Sequence, residues 1–176
     1  MKVDKEIISK IEQKYYFISG KVKLDATYFM TKIEEGLKES NLHYKTNIQG
    51  LMTKYNFFNN DSHFHDVLHQ ILNCVDKYQE TVQYELDTAW GYKEDKNSYT
   101  ILHDHVPSYL SGVIYLNKHK QKLLFPEIDQ TVKPEEGRFV IFSSFLKHEA
   151  KRNPIIIPKY GISFNLRYYK SGDAIY

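Results

Sequence analysis

The chain has 176 residues, of which 24 are basic and 22 acidic, and its formal charge is +2. This near balance excludes a strongly basic stripe, so we do not expect nucleic acid to be the main partner. Apolar residues account for 41% of the chain and aromatic residues for 15%, a composition that excludes an intrinsically disordered chain and favours β-structure.

Cys74 is the only cysteine of the chain. An internal disulfide and a four-cysteine zinc site are therefore excluded, and a reducing compartment is the better fit. No stretch approaches the roughly 20 apolar residues of a membrane span, and the N-terminal segment lacks the apolar run of a signal peptide. We expect a cytoplasmic protein that forms a single domain over residues 1–176 and has no membrane partner.

The N-terminal half is predicted to contain a strand followed by two helices. Residues 14–24 (KYYFISGKVKL) are aromatic and β-branched, which indicates a strand or a bent hairpin edge. Residues 24–40 show apolar side chains at helical spacing above a charged face, with Asp25 or Thr27 as a candidate N-cap. A second amphipathic helix is predicted over residues 65–79, with Asp61 or Ser62 as a candidate N-cap, and its role is packing.

Three histidines near this second helix form one possible metal site. His65 and His69 are four positions apart, with His63 close by. That spacing places two imidazoles on one helical face, where they could bind zinc. A polar helix start explains the same residues without a metal.

From residue 82 onwards the apolar period changes to two. Short β-rich runs are separated by turn sequences such as Glu-Asp-Lys-Asn. The runs are VQYELDTAWGY, SYTILHDH, LSGVIYLN, KLLFPEI, GRFVIFSS and YGISFNLRYY. This pattern predicts a β-barrel or a β-sandwich.

The main candidate for chemistry is a pair of histidines at the end of a predicted strand. His103 and His105 are separated by two positions, so on a strand both side chains leave from the same face and can bind one metal ion. Asp104 points the other way. A third ligand has to come from elsewhere, and the candidate is His148, which follows the predicted strand GRFVIFSS.

The last predicted strand alternates between polar and apolar residues. One face carries Lys159, Gly161, Ser163, Asn165 and Arg167, and the other carries Tyr160, Ile162, Phe164, Leu166 and Tyr168. The apolar face can pack on the helices. If the polar face looked into a barrel, it would place a cation and a hydroxyl beside the metal, an arrangement that suits an anionic carboxylate ligand.

From about Glu85 to Tyr169, the order of the motifs resembles the core of the iron(II)- and 2-oxoglutarate-dependent oxygenases. The motifs, in chain order, are His103-Asp104-His105, SGVIYLN, LLFPEID, PEEGRFVIFSSFLKH and KYGISFN. The prolyl-hydroxylase-like and phage or bacterial members are the most similar. The resemblance implies an α+β, mostly β fold, namely a double-stranded β-helix (a jelly-roll or cupin-like barrel) over residues 85–170. Residues 1–84 would then supply the N-terminal strands and the packing helices.

The resemblance also implies the ligands of the site. Iron(II) would be bound by the three histidines at 103, 105 and 148. Lys159, eleven positions after His148, stands where the family holds the remote carboxylate of 2-oxoglutarate. Ser163 would donate a hydrogen bond to the same carboxylate, and Tyr99 or Tyr92 would be a further contact.

One departure from the family pattern concerns the metal ligands. The family uses two histidines and one carboxylate, which leaves three positions for 2-oxoglutarate and oxygen. Here His105 occupies the carboxylate position, so the ion would keep more positive charge and a different redox poise. Asp104 would restore the carboxylate only if a bulge rotated it inward.

Three functions follow as hypotheses. The first is an iron(II)- and 2-oxoglutarate-dependent dioxygenase that hydroxylates a peptide or a small molecule. The second is a cupin-like dioxygenase with three histidines and no organic cosubstrate. The third is a non-catalytic binding or structural protein that keeps the fold with a degraded site. The substrate and the oligomeric state stay open, because specificity in this fold lies in the loops.

Overall fold

The computed structural model describes residues 14–39, 47–75 and 83–169. Within these ranges it contains the helices α1 (Ala26–Glu39) and α2 (Ser62–Val75). The strands are β1 (Phe17–Lys21), β2 (Ile48–Gln49), β3 (Leu51–Met52), β4 (Gln83–Glu94), β5 (Tyr99–His103), β6 (Leu110–Tyr115), β7 (Leu123–Phe125), β8 (Gln130–Val132), β9 (Arg138–Ser143), β10 (His148–Ala150) and β11 (Lys159–Tyr169).

Each helix begins at an aspartate that caps it. Asp25 Oδ1 accepts a hydrogen bond from the backbone N–H of Tyr28, and Asp61 Oδ1 accepts one from that of Phe64, both at 2.9 Å. Both predicted helices are confirmed, although the second begins before residue 65 because Asp61 caps it there. Residues 76–79 of that prediction lie outside the described residues.

The strands form two antiparallel sheets. The larger sheet has the order β1-β9-β6-β11-β4-β3, and the smaller has the order β2-β5-β10-β7-β8. From β4 onwards the chain alternates between the sheets: β4, β6, β9 and β11 belong to the larger, and β5, β7, β8 and β10 to the smaller. This alternation is the path of a double-stranded β-helix, so the expected fold class is confirmed.

Strand β11 contributes to only one of the two hydrophobic clusters found among the described residues. Its residues Ile162, Phe164 and Leu166 are at most 1% exposed and pack with both helices in one cluster. Lys159 and Ser163 are also buried, but they line a cavity on the opposite face, between the sheets. The two-residue alternation of the sequence therefore correctly predicted which face of this strand meets the helices.

Four short strands were not predicted from sequence. Strands β2 and β3 have two residues each, and β8 and β10 have three. Such segments are too short to show a period, and long-range pairing alone defines them. No helix in the described ranges is both long and apolar enough to cross a membrane.

Candidate metal centre

His103 and His105 stand where β5 ends. His103 is the last residue of the strand, and the backbone N–H of His105 donates to the carbonyl of Ser144 at 2.8 Å. This bond ties the chain after β5 to the loop before β10. Asp104 Oδ1 accepts a hydrogen bond from the N–H of Val106 at 3.2 Å. Asp104 therefore stabilises the local turn, as aspartates commonly do.

His148 reaches the same place through strand pairing. It is the first residue of β10 and lies opposite His103 in the β5–β10 ladder. The metal-binding atoms of His103, His105 and His148 all lie within 4.8 Å of one another. The Nε2 atoms of His105 and His148 are 3.3 Å apart. Two nitrogens bound to one ion at roughly 2.1 Å are separated by about 3.0 to 3.4 Å, so this pair already has the spacing of metal ligands.

Backbone carbonyls determine which ring nitrogen of two histidines carries the proton. His103 Nδ1 lies 2.8 Å from the carbonyl oxygen of Ile101, and His148 Nδ1 lies 3.0 Å from that of Leu146. A carbonyl oxygen only accepts, so Nδ1 of each ring donates. The Nε2 lone pair of each neutral ring is left for a metal, in the manner typical of histidine ligands.

The surroundings keep the three imidazoles neutral. Burial, and to a lesser extent the charge of His103, lowers the pKa of His105 to about 3. Burial also lowers the pKa of His148 to about 3, with the charges of the other two histidines as a second cause. Burial lowers the pKa of His103 as well. Neutral imidazole is the form that binds metal, so the site is prepared for an ion at neutral pH.

Lys159 lies in the same cavity, but it already has a counter-ion. Its ammonium forms an ion pair with Glu94, its cross-strand neighbour on β4, and the two side chains are 3% and 1% exposed. The hydroxyl of Thr100 donates to the other carboxylate oxygen of Glu94 at 3.1 Å. The Lys159 nitrogen also lies 5.7 Å from the centre of the Tyr92 ring. The cation is therefore held and neutralised by residues of the protein.

Two tyrosines flank Gly161 in the wall of this cavity. Tyr92 on β4 and Tyr115 on β6 are both cross-strand partners of Gly161. A Cβ atom at position 161 would lie 2.4 Å from the Tyr92 hydroxyl oxygen, so glycine gives the phenol its space. Burial raises the pKa of both phenols well above their ordinary value, and both remain neutral hydroxyls.

The cavity between the sheets joins these groups. It measures about 420 Å³ including its mouth and is lined by the three histidines, Lys159, Glu94, Ser163 and the two tyrosines, among others. A second cavity of about 350 Å³ also borders His103 and His105 and is lined by Met52, Tyr55 and Trp90.

Comparisons with known proteins identify the architecture. No family model matches the sequence, and no curated protein matches it. Among solved structures, the viral collagen prolyl hydroxylase vCPH from Paramecium Bursaria Chlorella virus-1, in its 2-oxoglutarate complex, is 12% identical with a TM-score of 0.62, over 86% of this chain and 95% of that one. A Pseudomonas putida prolyl-4-hydroxylase is 13% identical with a TM-score of 0.62, over 88% and 93% of the two chains.

A third structure contains both a metal and the organic acid. HygX from Streptomyces hygroscopicus, with nickel and 2-oxoglutarate bound, is 12% identical with a TM-score of 0.61, over 87% of this chain and 82% of that one. The chain has the fold of the iron(II)- and 2-oxoglutarate-dependent oxygenases. At these identities the likeness establishes the fold, and the chemistry has to be argued from the residues of the site.

The three imidazole nitrogens are suitable ligands for a transition metal of the kind that oxygenases bind. Imidazole nitrogen suits iron, zinc, copper and nickel, and three ligands leave coordination positions open. The site fits one end of 2-oxoglutarate better than the other. The metal end of the cavity can accept the oxo-acid group, whereas Lys159, expected to hold the remote carboxylate, is already paired with Glu94.

The structure places other sequence-predicted residues outside this cavity. The ring of Tyr99 lies under the Arg152 guanidinium at 4.9 Å from its centroid and lines a groove on the outer surface. Tyr92, the alternative, does line the cavity. Of the rival histidines, His63 stacks on Tyr28 and His65 Nε2 contacts the carbonyl of Asn59 at 2.6 Å. Among the described residues, the potential metal cluster consists of the histidines at 103, 105 and 148.

Sequence reasoning missed three residues of the cavity wall, namely Glu94, Tyr115 and Trp90. Trp90 and Glu94 have the same parity as Tyr92 on β4, so strand alternation could have placed all three on one face. The indole Nε1 of Trp90 is buried and has no hydrogen-bond partner among the described residues. The ring of Trp90 lies 6.2 Å from that of His105.

Proposed function

We propose that this protein is an iron(II)-dependent dioxygenase that uses a 2-oxo acid, 2-oxoglutarate by family resemblance, to hydroxylate a peptide or small molecule. The observation that carries the proposal is the convergence of three neutral imidazoles on the wall of a cavity. His103, His105 and His148 would hold the ion. When bound, iron with the oxo acid would activate oxygen for attack on a C–H bond.

The residues of the chain have defined tasks in this proposal. The carbonyls of Ile101 and Leu146 hold the rings of His103 and His148 by their Nδ1 protons, so the ligand nitrogens keep their direction. The apolar side chains of Val113 and Leu123 help to keep water out of the cavity. A dry and pre-formed site favours binding of a chelating acid over bulk water.

The second cavity is the proposed place of the substrate. It borders His103 and His105 from the side of Tyr55 and Trp90, and Lys159 is not among its lining residues. The buried Trp90 Nε1 has no acceptor within the part of the chain that the structure describes, so a substrate with a hydrogen-bond acceptor suits this side. Trichoplax adhaerens prolyl hydroxylase was solved with a peptide fragment, and HygX with hygromycin B. Both substrate types remain within the proposal.

An anaerobic titration tests the proposed function. Iron(II) is added to the metal-free protein with and without 2-oxo acid, and the sample is then exposed to air. We expect one iron(II) per chain, tighter binding of the oxo acid in the presence of iron, and carbon dioxide with the shortened acid after oxygen is admitted. Binding of iron without binding of the oxo acid would contradict the proposal that the protein uses an oxo acid as cosubstrate. Absence of iron binding would favour a non-catalytic protein.

A second candidate function is a three-histidine dioxygenase without an organic cosubstrate. The observation that favours it is the ion pair of Lys159 with Glu94, which removes the free cation that an acidic cosubstrate would use. In that case iron would bind as before, but neither the affinity for iron nor the uptake of oxygen would depend on an added oxo acid.

A further inference from the structure

The Lys159–Glu94 pair and the histidines occupy opposite ends of one cavity. Glu94 contacts Thr100, and Thr100 lies three residues before His103 on β5. At the rise of a β-strand, three residues span roughly 10 Å. Since both groups line the same cavity, an oxo acid chelated at the histidines would direct its remote end towards the ion pair.

The charge at this remote end is already balanced. The Lys159 side chain is 3% exposed and the Glu94 side chain is 1% exposed, so water screens neither of them. A second carboxylate placed beside Lys159 would also lie close to Glu94. Like charges in a desolvated site repel strongly, because water does not screen them from each other.

An uncharged remote end meets a more favourable surface. The pair offers an N–H donor and a carboxylate acceptor, and Ser163 adds a hydroxyl. The remaining wall includes the apolar side chains of Leu123 and Ala150. A neutral polar or aliphatic group can therefore be buried here without a new uncompensated charge.

We infer that Glu94 makes this cavity select a 2-oxo monocarboxylic acid, whose remote end is uncharged, over the dicarboxylate 2-oxoglutarate. The inference rests on the proposed function for the metal and the oxo-acid group. Glu94 would determine the choice of cosubstrate, because its carboxylate already pairs with the Lys159 ammonium that a second carboxylate would need.

Two acids of the same chain length test the inference in the unaltered protein. The iron(II)-loaded protein is titrated anaerobically by calorimetry with 2-oxopentanoate and with 2-oxoglutarate. We expect 2-oxopentanoate to bind at least about tenfold more tightly, since close like charges in a buried site cost more than a tenfold factor in affinity. Equal or tighter binding of 2-oxoglutarate would overturn the inference and leave the proposed function intact.

The substitution Glu94→Gln tests the cause. It keeps the shape of the side chain and frees the charge of Lys159, so the preference should reverse towards 2-oxoglutarate by about tenfold or more. Glu149→Gln is the matched control, because Glu149 also pairs with a lysine, Lys151 at 2.5 Å, but lies outside the cavity. An unchanged preference in Glu94→Gln would overturn the inference.

A double substitution covers the case in which Glu94→Gln does not fold. Glu94→Gln with Lys159→Met removes both charges together, and we expect it to bind 2-oxopentanoate and still reject 2-oxoglutarate. Tight 2-oxoglutarate binding by this variant would also overturn the inference. If iron binds but neither acid binds in any variant, the proposed function fails together with the inference, and this result differs from a reversed preference.

Discussion

The Nε2 atoms of His105 and His148 lie 3.3 Å apart although the two residues are 43 positions apart in the chain. The pairing of β5 with β10 brings them together, and a backbone bond from His105 to Ser144 holds the segment between them. Nε2 of His148 has no backbone partner among its described contacts. The two neutral nitrogens at this distance are therefore available as two of the three candidate metal ligands.

Removal of one of these nitrogens should abolish tight metal binding. For His148→Ala we expect the affinity for iron(II) to fall by more than about 100-fold, because loss of even an outer-shell partner costs roughly 10- to 100-fold. Trp90 is the only tryptophan of the chain and its ring lies 6.2 Å from that of His105, so quenching of its fluorescence reports binding. The exposed His69 supplies the control, and His69→Ala should bind iron like the parent protein.

The identity of the third ligand can be tested between neighbours. Asp104 caps the turn at Val106, so Asp104→Ala should change the affinity for iron(II) by less than about fivefold, the range of a partly screened charge. His105→Ala should lower it by more than about 100-fold. The same fluorescence titration measures both. The reverse ranking would show that Asp104 turns inward and that the ligand set is two histidines and one carboxylate.

The buried ion pair should dominate the stability of its region. Lys159→Met leaves Glu94 buried with no counter-ion, and we expect it to lower the free energy of unfolding by about 3 to 5 kcal/mol. The double variant with Glu94→Gln should lose far less, because no unpaired charge is left. Urea denaturation of the metal-free proteins measures both values. Equal losses in the single and double variants would mean that packing, and not charge, stabilises this site.

Acid should destabilise the metal-free protein through its buried histidines. The pKa of His105 and of His148 is about 3 in the folded protein and about 6.5 in an unfolded chain. Between these values the unfolded state binds protons that the folded state does not, so stability falls as the pH falls below 6.5. We expect a loss on the order of 1 to 3 kcal/mol per pH unit between pH 6.5 and 5.

Urea denaturation at several pH values gives this slope. His148→Gln removes one of the buried histidines whose pKa is lowered and should therefore reduce the slope. His69→Gln should keep the parental slope, since the residue is exposed. A slope near zero in the parent protein would mean that the imidazoles reach solvent and titrate normally.

Strand alternation explains how much of the site could be predicted from the sequence. The spacing of His103 and His105 predicted two ligands on one face, and the structure brings both to the candidate metal cluster. The alternation in the last strand correctly placed Lys159 and Ser163 in the cavity and the apolar residues against the helices. The directions of these side chains were predictable because the face on which a strand residue lies depends only on its parity.

Parity does not determine which residues of different strands become neighbours. The placement of Tyr99 in the cofactor site depended on this, and the structure places its ring under Arg152 at the outer surface. Glu94 was overlooked although its parity matches that of Tyr92. Its ion-pair partner, Lys159, depends on the register of β4 against β11, which the parity of a residue does not give. Register is decided by the packing of whole sheets.

The sequence by itself predicted the fold class and named the three histidines as candidate ligands, since periodicity and motif order can be read directly from the chain. Only the tertiary structure decided the electrostatics of the cavity. Lys159 reads as a free cation in the sequence, but antiparallel pairing sets Glu94 opposite it and excludes water from both. The net charge that a ligand meets in the cavity comes from residues that are distant in the chain. It is therefore set only when the strands pair and bring these residues together.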